Sequence, residues 1–170
     1  RIHQGLKKLG HESRMLVRYK ESNDLNIETI WPTAPYNFLD RISEIACKRS
    51  GFQYLYVPSS KRALRHRWFR EANIIQLYNL HGAYLSPLVL PKLSQQAPII
   101  WRLSDIWPAT GHCAYSGSCE RWKVGCGKCP DLNAYPPVSL DFTAFLWRLK
   151  NASYKKSDIT LVAPSSSVSY

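Results

Sequence analysis

Short apolar runs, each separated from the next by a single helix-length segment, constrain this chain more than any other feature. Ile74 to Leu80 is almost continuously apolar, as in a strand buried on both faces of a sheet. Ile99 to Leu103 and Ile159 to Ala163 read as two more strands, the second stopped by Pro164, and Arg14 to Tyr19 and Gln53 to Val57 complete the set. Helical spacing fills the gaps. It covers residues 2 to 9, closed by Gly10, and residues 36 to 50, where Phe38, Leu39, Ile42, Ile45 and Ala46 recur before Gly51. It returns in the basic stretch Arg62 to Glu71 and in Tyr84 to Gln95, broken by Pro87 and Pro91. The last helix spans Ser139 to Ser157, with Phe142, Phe145, Leu146 and Leu149 on one side. Parallel strands need a crossover connection, and a helix is the usual one. The expected fold is therefore α/β, a Rossmann-like parallel sheet with helices on both faces.

The 170 residues, 45% of them hydrophobic, suffice for one core, so residues 1–170 read as a single domain. No apolar run reaches the roughly 20 residues of a membrane-spanning helix. The chain opens on Arg1 in what already reads as mid-helix, which predicts a start inside a larger protein. Its net charge of +11 calls for an anionic partner, whether phosphate, nucleic acid or acidic membrane. Five cysteines, four of them inside one 17-residue window, are not spread like a secreted disulfide framework and predict a cytoplasmic setting.

One long stretch has no periodicity. Residues 107–138 follow the strand Ile99 to Leu103 and read as a Cys-rich irregular insertion at the C-terminal edge of the sheet, the open side of an α/β crevice. A loop of about 30 residues is too long for a plain connector and needs a staple of its own. Cys113, Cys119, Cys126 and Cys129 are spaced x5, x6, x2. Four thiolates could close a tetrahedral structural zinc site, with His112 able to replace one ligand. One or two disulfides, or reduced thiols packed among Trp107, Tyr115 and Trp122, meet the same spacing. Cys47, on a helix, reads as a buried apolar residue.

Two strand tips carry further candidates. At Ser104 and Asp105, oxygens can accept hydrogen bonds from a hydroxylated ligand, or Asp105 can cap the turn into Pro108. At Asn79, His81 and Gly82, the glycine permits close backbone approach and His81 could position or deprotonate a hydroxyl, or serve as a satisfied loop histidine. Lys61, Arg62, Arg65, His66, Arg67 and Arg70, interleaved with Trp68 and Phe69, suit an anionic membrane or a lipid-linked pyrophosphate, or a solvated helical face.

Together these pieces form a recognisable pattern: His3-Gln4-Gly5-Leu6, Gly10-His11-Glu12-Ser13, Asn79-Leu80-His81-Gly82, Trp101 to Trp107, Thr110-Gly111-His112-Cys113, Gly125 to Pro130, Tyr135-Pro136 and Val162-Ala163-Pro164-Ser165. The chain resembles the amino-terminal domain of bacterial family 4 glycosyltransferases, the group that includes colanic-acid and related exopolysaccharide enzymes. The resemblance implies a retaining B-type enzyme of two Rossmann-like domains. The acceptor would be held by the N-terminal domain, and the nucleotide-sugar by a C-terminal domain with paired glutamates. It implies a first strand and glycine-rich loop just before Arg1. It places Asp105 and Ser104 at the sugar-transfer centre, lines the cleft with Asn79, His81, Gly82, Trp107 and His112, and calls for no catalytic metal. Many relatives carry His-Asp where this chain has Ser104-Asp105, and serine supplies none of imidazole's proton chemistry.

The function expected on this resemblance is the acceptor-side half of a hexosyltransferase, peripheral at the inner face of the cell membrane. It would move a sugar from a nucleotide-sugar to an exopolysaccharide or lipid-linked oligosaccharide acceptor, and would be inactive without its donor domain. The rival is a zinc-stapled basic nucleic-acid-binding module, supported by the charge and the cysteines. Against it, the basic residues are spread over several segments, with no finger or RNA-recognition signature.

Overall fold

The computed structural model describes residues 1–30 and 36–163. Helix α1 (Ile2–Lys8) leads into β1 (Met15–Val17), which pairs in parallel with β2 (Ile27–Thr29). Three helices, α2 (Tyr36–Ser50), α3 (Ser60–Ala63) and α4 (Arg67–Arg70), precede β3 (Ile75–Leu77). Helix α5 (Leu90–Ser94) joins β3 to β4 (Ile99–Arg102), and α6 (Thr143–Lys155) joins β4 to β5 (Ile159–Val162). Strands β3, β4 and β5 form a second parallel sheet in that order. This mixed α/β arrangement is compatible with a Rossmann-like fold. Among the described residues the strands lie in two sheets where one was expected. Side chains tie the two together. Arg14, before β1, bonds Glu71, before β3, at 2.7 Å, and Arg18, after β1, donates to the Gly82 carbonyl, after β3.

Ile75, Leu77, Ile99 and Trp101 point into one core with Leu80, Leu85, Leu90, Leu93 and Trp107. Several expectations need correction. The Ile74 to Leu80 strand is only three residues long and not buried on both faces: β3 is an edge strand of its sheet, and Gln76 is exposed. Residues 53–57 form no strand, because Tyr54 takes a φ of 52° and turns the chain. The basic stretch 62–71 is two four-residue helices broken at His66, whose Nδ1 accepts the Trp68 N–H and starts the second. Trp68 is buried with the Arg14 and Arg67 guanidinium groups over its ring, and Phe69 packs on the core. Helix α2 stands where its spacing places it, yet Phe38, Leu39, Ile42 and Ile45 are exposed while Asp40 and Ser43 are buried. Polar anchors decide its orientation: Asp40 Oδ1 accepts the Ser59 N–H at 2.9 Å, and Ser43 donates to the Tyr56 carbonyl. Cys47 is only partly buried on that helix. Pro164 and Ser165 lie outside the described residues. Among those described, no helix is long and apolar enough to cross a membrane.

Candidate functional site

Strands β3 and β4 are parallel neighbours, with Leu77 opposite Trp101, so the chain leaves both at the same sheet edge. The two strand tips therefore meet. His81 Nε2 lies 2.8 Å from Asp105 Oδ2, and Asp105 Oδ1 accepts the Trp107 N–H at 2.9 Å. Asp105 is thus both a turn cap and the partner of His81. Because the carboxylate only accepts, the imidazole presents its proton at Nε2. The bond to Asp105 raises the His81 pKa above its ordinary value, outweighing burial. Asn79, His81, Ser104, Asp105 and Trp107 line one small pocket with Tyr78, Trp101 and Pro108. Asn79 and Ser104 are exposed at its rim. Gly82 sits behind it, its carbonyl taken by Arg18. Such a site can orient hydroxyl groups and hold a proton near neutral pH.

Trp107, 1% exposed, is the hub beneath this pocket. Its Nε1–H donates to Gln53 Oε1 at 2.7 Å, and its carbonyl accepts Lys150 Nζ at 2.7 Å. The Lys150 ammonium also lies 4.0 Å from the Trp107 ring centroid. Burial pushes Lys150 down to about 7, against the opposing pull of Cys126, Cys113 and Asp105. Gln53 passes the network on by donating to the Pro136 carbonyl at 2.8 Å, which also faces His112 Nδ1 at 3.1 Å. A continuous hydrogen-bond chain thus runs from His81 and Asp105 to His112. Gln53 and Lys150 are the members that sequence reasoning missed.

His112 itself lies with the cysteines, away from the Asp105 pocket. It lines a second pocket together with Cys113, Cys119, Cys126 and Cys129, all free thiols. Residues 125–128 hold four consecutive positive φ values, 127°, 57°, 89° and 48°, a left-handed run that is easy for Gly125 and Gly127 and strained for Cys126 and Lys128. The run is docked on the start of α6. Gly127 N–H donates to Thr143 Oγ1 at 3.0 Å, and Cys129 N–H to Asp141 Oδ2 at 2.7 Å. Gly111 approaches so closely that a Cβ there would stand 2.5 Å from the Thr143 carbonyl oxygen. Burial pushes the thiols of Cys113, Cys126 and Cys129 up, opposite to the shift of an activated nucleophile. As the side chains stand, no group of three or more His, Cys, Asp or Glu among the described residues is disposed to hold a metal ion.

Over 43 residues the chain is 56% identical to a protein of Escherichia coli (strain K12) named as a colanic acid biosynthesis glycosyl transferase, WcaC. The match links this chain to a glycosyltransferase. It takes in 25% of the chain and 11% of WcaC, so it spans far less than two thirds of the relative's length. No family model matches the chain, and no solved structure matches it significantly.

Proposed function

We propose that this chain is the acceptor-side half of a retaining, B-type family 4 glycosyltransferase, a hexosyltransferase. It moves a sugar from a nucleotide-sugar to an exopolysaccharide or lipid-linked oligosaccharide acceptor. The observation that carries the reading is the convergence of His81 and Asp105, 2.8 Å apart, at the open edge of a parallel sheet. The 43-residue identity with a glycosyl transferase supports it. In this reading His81 donates its proton to one carboxylate oxygen and the Trp107 N–H holds the other, which fixes the orientation of Asp105 and leaves lone pairs for a sugar hydroxyl. Asn79 and Ser104 add neutral hydrogen-bonding groups at the rim, and residues 107–138 form a wall of the cleft. The nucleotide-sugar is held mainly by a second domain. Helix α2 supports peripheral contact with an anionic membrane at the cytoplasmic face. It exposes Phe38, Leu39, Ile42 and Ile45 on the same helix as Arg41, Lys48 and Arg49.

The test is to incubate the whole protein with labelled nucleotide-sugars and a lipid-linked acceptor extract. Label moving into the lipid fraction, with retention at the anomeric carbon, is the expected result. The absence of both transfer and slow hydrolysis, with every nucleotide-sugar supplied, would overturn the reading.

A further inference from the structure

We propose that the cysteine pocket is a structural zinc site held by His112 Nε2, the thiolates of Cys126 and Cys129, and a third thiolate from Cys113 or Cys119, with Lys150 as its buried counter-cation. The histidine is already set for the task. Its Nδ1 faces the Pro136 carbonyl, which can only accept, so the ring proton sits there and the lone pair of Nε2 is left for the pocket. Metal-ligating histidines have this arrangement, the second ring nitrogen tied to a carbonyl or carboxylate. A zinc ion about 2.0 Å from nitrogen and about 2.3 Å from sulfur in a tetrahedron separates the two donor atoms by about 3.5 Å. His112 Nε2 and Cys129 Sγ lie 3.4 Å apart.

The charge balance points the same way. Lys150 is 3% exposed, and none of the ion pairs among the described residues involves it. A buried lysine keeps its charge only beside an opposite one. Zinc with three thiolates and a neutral imidazole carries one net negative charge, which matches one lysine. Cys126 and Cys113 lie within electrostatic reach of Lys150. Gly111 N–H also donates to Cys126 Sγ at 3.2 Å, and Thr143, the first residue of the 13-residue α6, lines the pocket with the positive end of a helix dipole. The donors line the pocket without converging, so binding draws the sulfurs inward by side-chain rotation and releases one proton from each of three thiols.

The experiment measures zinc in protein purified without chelator and the visible spectrum after exchange to cobalt(II). About one zinc per chain is expected, with strong tetrahedral cobalt bands and thiolate-to-cobalt charge transfer. Cys126→Ser and His112→Asn each lose the metal, whereas Cys47→Ser, outside the pocket, keeps it. Of Cys113→Ser and Cys119→Ser, one loses it and the other retains it. Where a variant does not fold, the unmutated protein's cobalt spectrum decides. Protein that takes up neither ion when either is supplied in excess overturns the site. Full retention in His112→Asn, or loss in both the Cys113 and Cys119 variants, overturns the donor set.

Discussion

The His81–Asp105 pocket and the cysteine pocket are joined by one hydrogen-bond chain, yet they are ordered by different physics. The first inherits its geometry from the sheet: Leu80, Trp101 and Leu103, all buried, fix the strand ends from which His81 and Asp105 project. The second lies in a segment of mixed burial: Trp107 and Val138 are buried at its two ends, while Tyr115 at 81%, Val124 at 88% and Tyr135 at 64% are exposed between them. Fixing each residue costs roughly 1 to 2 kcal/mol, and the segment meets that cost with local turns and polar bonds to the start of α6 in place of a strand or α-helix of its own. The difference teaches that a strand-edge site comes with the fold, whereas the cysteine segment is where the proposed zinc would act as a cross-link.

If the proposed zinc is bound, its removal is the largest perturbation. A chelator should open residues 111–138 to protease and to amide exchange while β3, β4 and α6 stay protected; equal protection with and without chelator would erase the distinction between the pockets. Gln53→Leu comes next. It strands the Trp107 Nε1–H and withdraws one donor from Pro136, and should cost roughly 1 to 3 kcal/mol in denaturant unfolding. A change of a few tenths would mean the chain between the pockets carries no weight. Lys150→Met should weaken zinc binding by about tenfold in a competition titration, the usual effect of losing an outer-shell partner. Unchanged affinity would remove its role as counter-cation.

The smallest effect is the pH dependence of the His81–Asp105 pair. The folded pKa of His81 lies above its ordinary value of 6.5. The pair's stabilisation is therefore fully present below about pH 6.5 and is lost as pH rises through the folded pKa. Asp105→Asn should abolish that slope and bring the His81 titration, followed by NMR, back to or below the ordinary value. An unmoved titration would separate His81 from Asp105.

Periodicity made α2, α6 and β3 to β5 readable, because each reflects a local pattern. The meeting of Asn79, His81, Ser104 and Asp105 followed from parallel topology alone, since neighbouring strands end at one edge. What stayed hidden was non-local. Strand β2 is three residues held by pairing with β1, the turn at Tyr54 depends on a positive φ, and α2 is oriented by Asp40 reaching Ser59. Lys150 left a faint signal: it shares the buried stripe of Thr143, Leu146 and Ser153 at helical spacing, but a charged side chain is normally assigned to the solvent face. His112 is adjacent to Cys113 in sequence, yet only the fold separates it from the Asp105 pocket.

The most direct measurement is the turnover of nucleotide-sugar by the whole protein carrying Asp105→Asn. If Asp105 receives a sugar hydroxyl at the transfer centre, turnover falls by more than about tenfold, equivalent to about 1.4 kcal/mol of barrier, with an unchanged thermal midpoint. Introducing imidazole next to it by Ser104→His preserves or raises the rate. Unchanged turnover in Asp105→Asn would contradict this and reduce Asp105 to the cap of the turn at Trp107.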